Sequence, residues 1–535
     1  MCKLKVLFIN PPVRQQVAPG DIPYGLAIIA AITENKNHDV AFLDLNSHRV
    51  TLQVTAEEIA SDYYDIIAIG GLSSMYKDIK KILPICRQIH PEALIVAGGG
   101  FVTYLPDKML TLQPELDIVV IGEGEKTWEE ILDVASTRDF SSVKGIAYRD
   151  TSRAICFTEP RPLIADMDTI PYPAYHLLDL DIYSANYQLV NSKEALESKN
   201  KVHIVTERGC PRQCTFCTHN GLSRWDQIVS VGKEKVLEMD KDFGFQQIAR
   251  FNSPKYVVDH MLFLHEKFGM DYIFIADENL TSNKKRTIEL CNLMIESGLT
   301  QKMHWGTSGD AASVSDDLVK RMKEAGCTFI TFGGESGSDK VLTQDIQKGT
   351  TAAHNQISID IMKRQEMEPI MTFMLGNPNE NIDDMCETTQ FFIDNNLLCD
   401  PFICTPFPGT KLFIDYEDMI LQQFDERLGL VKDLPDPSIL KEEIKQWKLE
   451  ALEKFLTSLD DADKLSAHVS QIFNYADLLG LKSLMFSKDI PKILKLSHIR
   501  NWGHGEKWND VCPMCIAQNS LDKVLEDKSI QLKLN

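Results

Sequence analysis

Thirteen cysteines are spread along the 535-residue chain, and five of them are grouped. Cys210, Cys214 and Cys217 stand in Glu207-Arg208-Gly209-Cys210-Pro211-Arg212-Gln213-Cys214-Thr215-Phe216-Cys217, separated by three and then two residues. Zinc sites usually take four ligands from paired CxxC units. Three thiolates on one loop instead suit a [4Fe–4S] cluster whose fourth iron is left open for another ligand. Gly209 and Pro211 favour a loop that wraps a cluster over a regular helix. The second group, Cys512 and Cys515, lies in Val511-Cys512-Pro513-Met514-Cys515 beside His504. It reads as a half-site for zinc or a second cluster, as a reactive thiol pair, or simply as a helix start. Cys86, Cys156, Cys291, Cys327, Cys386, Cys399 and Cys404 sit among apolar neighbours, where cysteine serves as small core filler.

The elements that must position these thiols follow from the pattern around them. Short β-rich runs at Lys5–Asn10, Val40–Asp44, Ile66–Gly70, Leu94–Gly98 and Ile118–Gly122 alternate with amphipathic stretches. This alternation predicts an α/β unit over 1–149 with a doubly wound, flavodoxin-like parallel sheet. Its strands end in Gly, Asn, Asp or Pro, at the edge where ligands bind in open α/β sheets. Asn10-Pro11-Pro12-Val13 after the first strand is not the GxGxxG of a nicotinamide domain. Turn signals such as Glu159-Pro160-Arg161-Pro162 mark 150–199 as a linker packed across two domains. A second alternation follows over 200–411, with strands near His203–Glu207, Tyr272–Ala276, Met303–Thr307, Thr328–Gly333, Ile370–Leu375 and Phe402–Cys404. Six strands with intervening helices predict a partial (β/α)6 barrel whose working face is the C-terminal strand ends. The cysteine triplet falls directly after its first strand. Residues 412–535 read as a mainly helical region holding the Cys512/Cys515 tail.

The CxxxCxxC loop, with Phe216 before its last cysteine, resembles the hallmark of the radical S-adenosylmethionine (SAM) superfamily. The resemblance implies that the open iron chelates SAM and that reductive cleavage yields a 5′-deoxyadenosyl radical. It extends along the second domain. Asp277-Glu278-Asn279 is similar to the turn that contacts the methionine part of SAM. Gly333-Gly334-Glu335-Ser336-Gly337-Ser338 resembles the ribose segment, with Glu335 as hydroxyl acceptor. Gly376-Asn377-Pro378-Asn379-Glu380 resembles the turn near adenine, and Pro406–Thr410 the end of the barrel. Asp310 falls where relatives carry arginine, so a contact to the SAM carboxylate is expected from elsewhere. About thirty residues between Cys217 and Arg250, including Arg224-Trp225-Asp226, read as an insertion, either a substrate lid or a surface excursion.

The first domain resembles the cobalamin-binding domains fused to such barrels. The shared pieces are Pro11-Pro12, Pro23-Tyr24-Gly25-Leu26, Phe42–Asn46, Gly70–Ser74, Gly98-Gly99-Gly100 and Gly122-Glu123-Gly124-Glu125. Gly98–Gly100 would let backbone approach a bulky ligand, and Ser73 and Ser74 would hydrogen-bond its nucleotide tail. The candidate cobalamin contacts are Pro12, Tyr24, Gly25, Ser73, Ser74, Gly98, Gly99, Gly100, Gly122, Glu123 and Gly124. The D-x-H-x-x-G motif that supplies a lower histidine in many cobalamin proteins is absent. Asp44 and His48 do not fit it, and His48 reads as a surface residue. The resemblance then implies cobalamin without a histidine on cobalt, a state suited to accepting a methyl group.

Composition narrows the class further. Hydrophobic residues make up 44% and charged residues 25%, values of a globular chain and not of a disordered, collagen-like or disulfide-scaffold one. The net charge of −21 disfavours a nucleic-acid partner. With no apolar run of membrane-spanning length and no signal-type N-terminus, a cytoplasmic location is expected. Together these readings predict a cobalamin-dependent radical SAM C-methyltransferase. It would act on a small-molecule or peptide substrate and draw electrons from a flavodoxin or ferredoxin. The alternatives are a cyclase or rearrangement enzyme with the same cofactors, a tRNA methylthiotransferase, or a redox or cobalamin sensor.

Overall fold

The computed structural model describes residues 3–13, 18–187, 192–219, 249–397, 401–433 and 441–472, together with residue 482. The first unit is a seven-stranded sheet. Its strands are β1 (Lys5–Asn10), β2 (Asp39–Asp44), β3 (Ile66–Gly70), β4 (Leu94–Gly98), β5 (Ile118–Val120), β6 (Ile146–Arg149) and β7 (Ile155–Phe157). They lie in the order β2-β1-β3-β4-β5-β6-β7. The first five are parallel, and β6 and β7 add an antiparallel edge. The order 2-1-3-4-5 places a crevice between the carboxyl ends of β1 and β3, where the winding direction reverses. Strands β1, β3 and β4 are almost continuously buried, as sheets covered on both faces require.

Two boundaries differ from the sequence reading. The expected break at residue 149 cuts through the β6–β7 hairpin, so part of the assigned linker belongs to the first sheet. Strand β5 stops at Val120, because Gly122 adopts φ +76° and turns the chain out of the sheet. The rest of the connecting segment packs both ways. Met167, Ile170 and Ala174 enter the core of the first unit, while Tyr175 and Tyr183 enter that of the second.

The second unit is an open, wholly parallel sheet of six strands in the order β15-β14-β13-β12-β11-β8. These are β8 (Lys201–Ile204), β11 (Tyr272–Ile275), β12 (His304–Gly309), β13 (Cys327–Glu335), β14 (Ile370–Leu375) and β15 (Phe402–Ile403). The expected strand His203–Glu207 is broken. After Ile204 the chain turns away, and β9 (Glu207–Arg208) pairs antiparallel with β10 (Arg250–Phe251). The buried Asp277 carboxylate causes the break by accepting the backbone N–H of Thr206 at 2.5 Å and of Glu207 at 3.1 Å.

Helices Lys411–Phe424, Lys441–Ser458 and Ala462–Ile472 form the described part of the C-terminal region. Phe413, Phe455 and Val469 share one apolar core with the first sheet and with Leu375 of β14. Ion pairs Lys77–Asp460 and Lys80–Glu453, each 2.7 Å, rim that contact. Among the described residues no helix is long and apolar enough to cross a membrane.

Candidate functional site

Gly209, at φ +90°, swings the chain out of β9 into the cysteine loop. Cys214 is buried, and Cys210 and Cys217 are half-buried. Burial pushes the Cys210 thiol up to about 11 and the Cys214 thiol well above its ordinary value, so bare thiolates are disfavoured without a cation. Among the described residues no three His, Cys, Asp or Glu side chains could hold one metal ion together. A cluster in which each thiolate takes its own iron does not need that proximity. Three cysteines on one loop are a donor set that an iron–sulfur cube can use, one iron to each thiolate.

The loop is braced from within its own domain. Thr215 N donates to Ile346 O at 3.0 Å, and Thr215 Oγ1 to Asp345 O at 2.6 Å. Both acceptors end a π-helical turn, Val341–Ile346, a rare conformation that recurs at functional sites. Phe216 packs against this turn through Val341, Leu342, Ile346 and Met374, so its ring faces protein. Arg212 reaches Asp310 at the end of β12, with Nε 2.7 Å from Oδ2. Arg212 of the cysteine loop thus sets a cation beside Asp310, at the strand end where the chain has no arginine of its own.

The other expected SAM residues divide into two groups. Asp277 is fully engaged by Thr206 and Glu207 and shapes the start of the loop. Ser336 is buried against Thr388 Oγ1 at 3.0 Å, and its hydroxyl accepts from Ser338 N. Glu380 folds back on its own turn, accepting from Gly376 N at 2.8 Å and Asn377 N at 3.0 Å. The contacts described for these three are to protein. Glu278 keeps Oε2 buried without a hydrogen-bond partner while Oε1 lies 2.6 Å from His219 Nδ1. Glu207 likewise has a buried, unpartnered Oε2; burial and the adjacent Asp277 push its carboxyl well above the usual range. The unpartnered oxygen of Glu278 fits a ligand that brings an ammonium or hydroxyls. Glu335, at φ +62°, ends β13 in a strained conformation and pairs with Lys348 at 2.8 Å. Lys348 also donates to Gly333 O at 2.5 Å, and a side chain on Gly333 would collide with this pair. Burial works to lower the Lys348 pKa, but Glu335 and the neighbouring Cys214 hold it above the ordinary value. Neither Lys348 nor the π-turn carries a local sequence signal.

In the first unit the expected contacts line the carboxyl ends of β1, β3, β4 and β5. Pro12 is buried after β1, and Ser73 and Ser74 are buried on the 3-10 turn after β3. A Cβ on Gly98 would meet nothing nearer than Val120 at 3.9 Å, one on Gly100 only Tyr104 at 3.9 Å, and those on Gly25 and Gly122 nothing within 4 Å. Gly25 follows β1 at the switch point, while Gly98, Gly100 and Gly122 lie along the ends of β4 and β5, and together this open rim has room for a bulky flat ligand. Gly99 differs: at φ +91° its Cβ would fall 2.7 Å from Gly71 O, so the fold itself demands glycine there. Gly124, whose Cβ would sit 3.5 Å from Ile29, starts the following helix as its cap.

Two expected contacts are engaged elsewhere. Tyr24 donates its hydroxyl to Val205 O at 3.3 Å and packs against His203. Glu123 accepts from Arg208, Arg250 and Ile164 N. Both side chains serve the junction between units. His48 is exposed at the end of a short helix, and Asp44 is tied to Tyr183 and Asn10 at 2.7 Å each. The inserted segment from 220 to 248 and the Cys512/Cys515 tail lie outside the described residues.

A cysteine loop on a partial barrel, facing a glycine-rimmed crevice of a doubly wound sheet, defines a two-cofactor α/β protein. The family comparisons give each half its identity. The B12 binding domain family matches residues 16–132, and the radical SAM superfamily matches 204–392. The chain is 29% identical over 416 residues to an uncharacterised methyltransferase of Pyrococcus horikoshii, covering 77% of this chain and 82% of the relative. It is 26% identical over 453 residues to the anaerobic magnesium-protoporphyrin IX monomethyl ester cyclase of Cereibacter sphaeroides, covering 82% and 68%. The radical SAM methyltransferase TsrM of Kitasatospora setae, solved with cobalamin and a [4Fe–4S] cluster, shares the fold. Its TM-score is 0.60 at 15% identity, over 79% of this chain and 75% of that one. The chain belongs to the radical SAM enzymes that carry a B12 binding domain, and its cofactors are cobalamin, a [4Fe–4S] cluster and SAM.

Proposed function

We propose that the chain is a C-methyltransferase acting on an unactivated carbon of a small-molecule or peptide substrate. The observation that carries this reading is the crevice of the first unit. Its strand ends offer bare backbone and serine hydroxyls, and His48, the histidine weighed above as a cobalt ligand, is exposed. Methyltransferases among the relatives support it. When bound, the cluster and SAM supply a carbon-centred radical, and cobalamin carries the methyl group. The protein's own part is to hold them. Cys210, Cys214 and Cys217 ligate the cluster, and Arg212, fixed by Asp310, presents a cation toward the SAM carboxylate. Glu278 accepts from the SAM amino group, and Glu335, oriented by Lys348, accepts from the ribose. Pro12, Gly25, Gly98, Gly100 and Gly122 bound the corrin face, while Ser73 and Ser74 meet the nucleotide tail. A low-potential flavodoxin or ferredoxin supplies the electrons.

Product counting tests the reading. Anaerobic turnover should give 5′-deoxyadenosine and S-adenosylhomocysteine together, with a deuterated methyl from labelled SAM in the product. The cyclase relative supports a second reading, the same cofactors without methyl transfer. Turnover yielding 5′-deoxyadenosine but no S-adenosylhomocysteine and no added methyl would replace the first reading with this one.

A further inference from the structure

The two units touch at both ends of the cysteine loop. Two residues before Cys210, Arg208 places Nη1 3.0 Å from Glu123 Oε1 and 3.3 Å from Glu125 Oε2, and Nη2 also pairs with Glu125. Arg250 adds Nη2 at 2.9 Å from Glu123 Oε1 and Nη1 at 3.0 Å from Oε2. Arg208 and Arg250 are direct cross-strand partners in the β9–β10 ribbon. Two cations facing each other would repel, and the two carboxylates make the pairing neutral. One residue after Cys217, Thr218 O accepts the Tyr104 hydroxyl at 2.5 Å. The Tyr104 ring fills the space over Gly409, where any Cβ would collide with it. Glu123 and Glu125 follow β5, and Tyr104 follows β4. These segments also carry Gly98, Gly100 and Gly122, the open rim of the crevice. The middle of the cysteine loop, at Thr215, is held by its own barrel.

We propose that Glu125–Arg208 and Tyr104–Thr218 couple the crevice to the cysteine loop, making Arg208 and Tyr104 positioning residues through which bound cobalamin sets the geometry of the cluster. This rests on the cofactor assignment above and adds a thermodynamic claim. A ligand that orders the segments after β4 and β5 shifts both ends of the loop relative to its fixed middle. Where bound cobalamin favours the loop geometry that holds the cluster, linkage requires a formed cluster to tighten cobalamin binding by the same factor.

The test uses the full chain, anaerobically reconstituted, with hydroxocobalamin as probe and two readouts. Cobalamin affinity should be about tenfold higher in cluster-loaded protein than in the Cys210→Ser/Cys214→Ser/Cys217→Ser variant. Saturating cobalamin should also shift the EPR signal of the reduced cluster. A Glu125→Gln/Tyr104→Phe variant should still load both cofactors but lose the affinity difference and the EPR shift. Tyr104→Phe alone, which keeps the ring over Gly409, carries the test if the double variant does not fold, and should reduce both. Equal affinities with and without cluster, an unmoved EPR signal, or a variant with full coupling would overturn the inference while leaving the cofactor assignment intact. Failure of the protein to bind cobalamin at all would bring down both.

Discussion

Gly98, Gly100 and Gly122 of the first unit and Gly334 and Gly337 of the second have opposite surroundings. In the first unit Gly98, Gly100 and Gly122 border open space. In the second, a Cβ on Gly334 would fall 2.5 Å from Met371 Sδ, and one on Gly337 2.7 Å from Thr388 Cα. The first set leaves room for something the chain does not contain. The second lets β13 and its turn pack against their own neighbours. The ionisable groups show the same contrast. The crevice of the first unit offers few, and those nearest it (Asp44, Glu123, Glu125) already have partners. The barrel mouth gathers Glu207, Glu278, Glu335, Lys348, Arg212 and Asp310 around the thiols. One cleft presents shape and bare backbone, the other charge placed in advance.

The largest expected effect falls on the charged side. Replacing Cys210, Cys214 or Cys217 by alanine should leave fewer than about four irons per chain and abolish SAM cleavage, measured by iron assay and 5′-deoxyadenosine. Continued 5′-deoxyadenosine formation by the triple variant would remove the loop from the chemistry. Next comes the seam between the clefts. Arg208→Ala strands buried Glu125 beside Glu123 and should destabilise the chain by about 3–5 kcal/mol in denaturant titrations; a change under about 1 kcal/mol would show that the ion pairs are incidental.

Glu380 gives a pH test of the barrel turn. Burial raises its carboxyl from 4.5 to about 7, so the folded chain retains a proton that the unfolded chain gives up. The associated stability is complete below the unfolded value and is lost as pH rises through the folded one. Relative to Glu380→Gln, wild type should lose on the order of 3 kcal/mol between about pH 4 and about pH 8. A flat difference would mean that folding does not raise the Glu380 carboxyl. The smallest effect is at His48: alanine there should leave the cobalt EPR spectrum unchanged, with no nitrogen splitting to lose.

Much of this was legible in the chain because buried parallel strands are continuous apolar runs. β1, β3, β4 and β14 fall on their expected limits. β6 and β7 escaped because they are short, antiparallel, partly exposed and set among turn residues. The cysteine spacing is local, so the loop could be read. What holds it could not. Tyr104 and the Arg208–Glu125 pair act across 83 residues or more, and Thr215 is held through a π-turn that no periodicity announces. Tyr24 and Glu123 also have partners 181 and 85 residues away across the domain seam, which motif position does not show.

Gly98 offers the most direct test of the central claim, because its Cβ position is open and its backbone is unstrained, unlike Gly99. Iron and cobalamin would be measured on anaerobically reconstituted wild type and Gly98→Leu. Wild type should retain about one cobalamin and roughly four irons per chain, and Gly98→Leu should keep the irons and lose the cobalamin. A Gly98→Leu protein that binds cobalamin as wild type does would contradict the assignment of the crevice.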